Sequence, residues 1–147
     1  IIDHMRLSKS IKITLLALTI FNVLALSFNW YHTKPWVDIP AHFVFGVLIG
    51  LFLLSFHPKL KTLERFRLVV VLQIVFWGLA AGSFWEMMEY TRDTLYAIPK
   101  HKELAQQGTR DTIGDLANNI IGVGTVMFTY KFRGKKILQR LTKKKHD

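Results

Sequence analysis

The chain has 147 residues, a formal net charge of +10 and no cysteine. Without a thiol, disulfide scaffolds, Cys-ligated zinc, iron–sulfur clusters and cysteine nucleophiles are excluded. Half of the residues are apolar. They are gathered into four long blocks, with the charge crowded between and after them.

Residues Ile1 to His4 read as a cloning remnant ahead of a start at Met5. Block one, about 13–30, carries no charge. Block two, about 39–56, has His42 as its titratable group. Block three, about 68–90, is uncharged until Glu86, and block four, about 112–130, has Asp115 near its start. Each has the roughly 17–25 residues that an α-helix needs to cross a bilayer. Helices are the open-chain way to satisfy backbone hydrogen bonds in lipid. The expected fold is therefore all-α, an integral membrane four-helix bundle over residues 5–133, followed by a basic tail at 134–147. Block one also has the basic lead of a signal peptide, in Arg6, Lys9 and Lys12, and small residues at Ala25 and Ser27. Its apolar run outlasts a typical leader, and Trp30 and Tyr31 follow where a membrane interface would lie, so it reads as a span.

Positive charge marks the cytoplasmic side. If four helices alternate, 15 of the 20 basic residues fall on one face: the N-terminal lead, the turn with Lys59, Lys61, Arg65 and Arg67, and the tail from Lys131. Both termini are then cytoplasmic, in a multi-pass protein of the cell membrane. His57 and Pro58 mark the cytoplasmic end of block two. The acids Asp38, Glu86, Glu89, Asp93, Glu103, Asp111 and Asp115 fall toward the outer face. The charge is a topology signal and an attraction to anionic membrane lipids, and no nucleic-acid partner is expected.

The outer acids fall into three stripes. Asp38 and His42 are four apart and share a helix face, with Pro40 in a first turn that tolerates it. Glu86, Glu89 and Asp93 are spaced three and four. Asp111, Asp115 and Asn119 are spaced four and four, and Gly122 continues that face. At about 1.5 Å per residue, Glu86 lies roughly 6–10 Å below the outer end of its helix, Asn119 about 10 Å, and Asp115 and His42 about 5 Å. A charge in hydrocarbon costs about 2–3 kcal/mol even on insertion scales. Several at one depth are tolerable if they face one another, water or an ion. Asp38, Asp93 and Asp111 also suit helix caps or interface charges, and Asp115 the first turn of a helix.

Gly46 and Gly50, and Gly78 and Gly82, suit close helix packing, and Gln73 an interhelical hydrogen bond. Trp30, Tyr31 and Trp36 suit an outer aromatic belt. The polar segment from Ala97 to Gly108 suits either a surface helix or a lid over the polar layer. The sequence has no Gly-rich phosphate loop, serine nucleophile elbow or internal repeat.

The order and spacing of these residues resemble the VanZ-like membrane proteins, whose namesake is associated with teicoplanin resistance, and the YjdF-type inner-membrane family. The matching elements are Asp38-x-x-x-His42, then Trp85-Glu86-x-x-Glu89, which is especially YjdF-like. Arg110, Asp115, Asn119 and Gly122 form the third. Together they reach from Asp38 to Gly124. Where a VanZ-like protein carries Gln after its acidic position, this chain has Glu89 or Tyr90, and Asp111 replaces a small residue. The extra acids bring it nearer the YjdF type. The resemblance implies a small polytopic membrane protein with a polar site.

Three functions fit. In the first, Asp38, His42, Glu86, Glu89, Arg92, Asp93, Arg110, Asp111, Asp115 and Asn119 form an outward-facing acidic pocket for a cation, or for part of an envelope lipid or glycopeptide-like ligand. In the second, His42, Glu86, Glu89 and Asp115 hold a divalent metal such as Mg, Mn or Zn. The metal would activate water on a lipid headgroup or lipid-linked phosphate, with Arg92 or Arg110 neutralising the phosphate. In the third, the polar layer is an interhelical network that fixes packing.

Overall fold

A computed structural model describes residues 2–56, 68–102, 104–106 and 108–143. The basic turn between blocks two and three, the His57–Pro58 end of block two, and Glu103 lie outside the described residues, as do the last four residues of the tail. The protein is all-helical, with no strand among the described residues. Its long helices are α1 (Ile2–Ser27), α3 (Asp38–Phe56), α4 (Leu68–Arg92) and α5 (Thr109–Lys143). A short helix α2 (Trp30–Thr33) and a 3-10 turn (Pro35–Val37) link α1 to α3. A π-helical turn (Asp93–Ala97) prolongs α4.

Three helical stretches are long and apolar enough to cross a membrane: Leu7–Ser27, Asp38–Phe56 and Leu68–Ala97. Helix α5 falls outside that set because Arg110, Asp111, Asp115, Asn118 and Asn119 crowd its first turns. Its neighbours nonetheless place it in the same layer. Gly46 of α3 abuts Asn119, and Gly50 of α3 lies against Val123 and Val126. The two helices thus run parallel. Against α4 the order reverses: Gly82 meets Leu116, Gly78 meets Ile120, and Gly124 faces Ile74.

These contacts explain the glycines. A methyl group on Gly78 would sit 2.6 Å from the Ile120 Cα, and one on Gly50 would sit 2.9 Å from the Val126 Cβ. One on Gly122 would strike the carbonyl oxygen of Phe43, and one on Gly46 that of Asn119. Lipid tails are as apolar as leucine, so helices in a bilayer associate through close backbone approach rather than hydrophobic expulsion. The small residues make α5 a partner of both α3 and α4.

The bundle is divided along its length. One end is an apolar core of Leu7, Leu51, Leu53, Leu54, Val70, Val123, Val126 and Met127. The other end holds the polar residues. Helix α3 is central, with 44 % of its apolar window buried against 11 % for α1. The exposed faces carry Leu16, Ile20 and Val23 on α1, and Val69, Leu72 and Phe76 on α4. Such faces suit acyl chains.

Two helices outrun their apolar blocks. Helix α1 starts well before Ile13, and α5 continues past Tyr130. The flanking stretches are rich in Lys, Arg and Leu, all good helix formers, so propensity carries the helix beyond the apolar run. Asn29 stops α1 by adopting the left-handed region at φ 54°, which asparagine tolerates better than most residues.

Candidate functional site

Three helix ends converge at the polar end of the bundle. Helix α3 supplies Asp38 and His42 from its first turns, α4 supplies Glu86 and Glu89 near its end, and α5 supplies Asp115 and Asn119. Asp38, His42, Asp115 and Asn119 are at most 2 % exposed, and Glu86 is 8 % exposed. The Nε2 atom of His42 lies 3.5 Å from Asp38 Oδ1 and 3.8 Å from Asp115 Oδ2. Candidate ligand atoms of Asp38, His42 and Asp115 all lie within 4.8 Å of one another, and so do those of His42, Glu86 and Glu89. His42 is common to both groups.

Side chains around this chamber hold its members in place. The amide nitrogen of Asn119 donates to His42 Nδ1 at 2.8 Å and to the Asp115 carbonyl oxygen at 2.9 Å. Trp85 packs on the His42 ring, with centroids 5.1 Å apart, and donates from Nε1 to Glu89 Oε1 at 2.9 Å. The hydroxyl of Thr112 donates to Glu86 Oε2 at 2.9 Å, and the Gln106 amide donates to the same oxygen at 2.8 Å. Five buried atoms of the chamber have no hydrogen-bond partner among the described residues: Asp38 Oδ1, His42 Nε2, Glu86 Oε1, Asp115 Oδ2 and Asn119 Oδ1. They belong to all three helices of the chamber.

The segment after α4 turns back onto the end of that helix. Asp93 accepts hydrogen bonds from the backbone N–H of Ala105 at 2.8 and 2.9 Å and from that of Gln106 at 3.0 Å. These bonds fold the chain back over Glu86. Asp93 shares the stripe of Glu86 and Glu89, yet its oxygens are committed to this loop and to Arg92 Nη1 at 2.8 Å. Arg92 is 40 % exposed. Arg110 is exposed and Asp111 is half-buried in the first turn of α5. The chamber therefore gathers Asp38, His42, Glu86, Glu89, Asp115 and Asn119, while Arg92, Asp93 and Arg110 stand at its edge.

Sequence reasoning overlooked Thr112 and Gln106. Thr112 precedes Asp115 by three and Asn119 by seven, a helical face that spacing alone reveals. Gln106 lies in an irregular loop, where no periodicity points to it. Gln73 does not provide the expected interhelical bond through its oxygen, which is buried without a partner among the described residues. Tyr31 turns inward from the aromatic belt and donates to Asn22 Oδ1 at 2.6 Å. Burial, and then the Asp38 and Glu89 carboxylates, push its phenol well above the ordinary range. Trp36 is exposed, as a belt residue should be.

A cleft of about 260 Å³ is lined by Tyr31, Trp85, Glu89, Arg92 and Ala105 among others, and so shares Trp85 and Glu89 with the chamber. A second, apolar cleft at the far end, of about 360 Å³, is lined by Ile49, Phe52, Leu53, Phe56 and Trp77. It carries no chemistry and suits acyl chains.

Residues 2–136 match the family described as predicted membrane protein DUF2238. The chain belongs to this family. No curated protein and no solved structure matches it. Membership of DUF2238 agrees with the candidate spans and covers all of the chamber residues.

Proposed function

We propose that this DUF2238 protein is a multi-pass protein of the cell membrane whose lidded acidic chamber binds a small cation at the outer face. The observation that carries the proposal is the set of unpartnered buried oxygen atoms on Asp38, Glu86, Asp115 and Asn119. A network built only to fix packing satisfies its members, because an unmet buried polar group is costly. Here each contributing helix leaves at least one atom unmet, and they converge on one place.

Charge supports the same reading. The chamber collects the carboxyl groups of Asp38, Glu86, Glu89 and Asp115. Arg92 is ion-paired to Asp93 instead, and Arg110 is exposed. Clustered carboxylates in a poorly solvated layer need protons or a cation among them. The close spacing of the ligand atoms suits an ion better than a glycopeptide. The resemblance to VanZ-like and YjdF-type proteins rests on the same residues. A lipid-phosphate hydrolase would want a basic side chain turned into the chamber, whereas Arg92 is paired with Asp93 and Arg110 is exposed.

The test is a titration of purified protein in lipid nanodiscs with Na⁺, K⁺, Mg²⁺, Ca²⁺ and Mn²⁺, read by calorimetry and thermal unfolding. Wild type should show saturable binding of at least one cation and a raised unfolding temperature. Glu86→Gln and Asp115→Asn should each weaken that binding by about tenfold or more, equivalent to at least about 1.4 kcal/mol. Equal responses in the wild type and both variants contradict the proposal.

A further inference from the structure

Resting on that reading, we infer that the chamber takes a hard cation held by oxygen atoms alone, and that His42 is a positioning residue made unfit for metal ligation by Asn119. The argument begins with the Asn119 amide. Its nitrogen carries two hydrogens and accepts none. One is given to the Asp115 carbonyl oxygen at 2.9 Å and the other to His42 Nδ1 at 2.8 Å.

The amide cannot be turned over at no cost. Turned, its oxygen would face the Asp115 carbonyl oxygen, acceptor against acceptor. Its nitrogen would move to where Asn119 Oδ1 now finds no partner among the described residues. The backbone of α5 therefore sets the orientation of the amide, and the amide sets the histidine. Because Nδ1 must accept, it carries no proton, and the single proton of the neutral ring is on Nε2.

That N–H lies between the carboxyl groups of Asp38 and Asp115, at 3.5 and 3.8 Å. A protonated ring nitrogen has no lone pair for a metal. Histidines that ligate zinc donate their other N–H to a carboxylate, carbonyl or water. Here the corresponding partner is itself a donor, the reverse polarity. A small movement instead closes a hydrogen bond from Nε2 to Asp38 or Asp115 and orients that carboxylate. The unpartnered oxygens left for a cation are then Asp38 Oδ1, Glu86 Oε1, Asp115 Oδ2 and Asn119 Oδ1; since His42 belongs to both close groups of ligand atoms, the Asp38–Asp115 and Glu86–Glu89 pairs must close on the ion from either side of its ring. Oxygen-only sets suit Mg²⁺, Ca²⁺ or Mn²⁺, whereas Zn²⁺ and Co²⁺ favour a site that offers imidazole.

The experiment uses the full chain in nanodiscs with ¹⁵N-labelled histidine. His42→Gln assigns the His42 resonances. In wild type, Nε2 should be protonated and Nδ1 unprotonated, and should remain so after Mg²⁺, Ca²⁺ or Zn²⁺ is added. Asn119→Asp supplies an acceptor opposite Nδ1, moves the proton there and frees the Nε2 lone pair. Its Zn²⁺ affinity should rise about 10–100-fold above wild type, and adding His42→Gln should remove the gain. Loss of the Nε2 proton when Zn²⁺ is added to wild type overturns the inference while leaving cation binding intact. So does Zn²⁺ affinity in wild type that already equals that of Asn119→Asp and falls on His42→Gln. Absence of saturable binding of any cation by wild type removes the underlying reading, and this inference with it. The wild-type spectrum decides the matter even where Asn119→Asp fails to fold.

Discussion

At the level of single residues, Glu86 shows how the chamber is built. One of its oxygens accepts from Thr112 and Gln106, while the other has no partner among the described residues. Two donors thus fix the carboxylate and leave half of it available. Thr112→Val keeps the shape and removes one donor. It should lower stability by about 1 kcal/mol, measured by denaturant unfolding in mixed micelles, and unchanged stability would show that the bond contributes nothing. Much of this site was legible in the residue spacing. Asp38 and His42, and Asp115 and Asn119, are pairs four apart, and a helix brings each pair to one face. What spacing could not show was how an individual side chain is used. Asp93 fits the stripe of Glu86 and Glu89, but backbone N–H groups of a distant loop claim its oxygens. Trp85 was visible as part of a motif, yet its bond to Glu89 and its packing on His42 depend on helix rotation.

At the level of the helices, the depth of the polar groups depends on how closely α3 and α5 approach. Gly46 and Gly122 meet where Asn119 reaches His42. A side chain there would separate the helices and break that bond. Gly46→Leu should destabilise the bundle by about 1–3 kcal/mol, the usual cost of overpacking, and should abolish cation binding. Ser83→Leu, at an exposed position on α4, should do neither, as unfolding and titration of both variants would show. Equal behaviour of the two would refute the role given to the α3–α5 contact. The glycine pairs could be read from the sequence because small residues four apart line one helical face. The helix ends could not, since propensity carries α1 and α5 beyond their apolar runs. For the segment after α4 the sequence left a surface helix and a lid open, because its path is set by bonds to Asp93 and Glu86 rather than by any local repeat.

Across the whole molecule, an apolar end and a polar end lie on opposite sides of one bundle. Such a protein has a direction in the membrane, and the distribution of basic residues predicts which. The lid should face outward and both termini inward. Since the chain has no cysteine, single-cysteine variants report this without background. A membrane-impermeant maleimide applied to intact cells should label Lys100→Cys on the lid and leave Lys143→Cys unlabelled. The opposite pattern would place the chamber on the cytoplasmic side. The expectation of a membrane bundle came from apolar block length alone, and α5 shows where that criterion stops. A helix wedged between two others needs an apolar surface only where it meets lipid, so its polar turns lower its mean hydropathy without removing it from the layer. The most direct test of the chamber is anomalous scattering from a crystal of the protein grown with Mn²⁺. The account predicts one manganese peak among α3, α4 and α5, with carboxylate oxygens of Glu86 and Asp115 about 2.0–2.6 Å away. Carboxylates turned apart or toward acyl chains, with no peak between them, would contradict it.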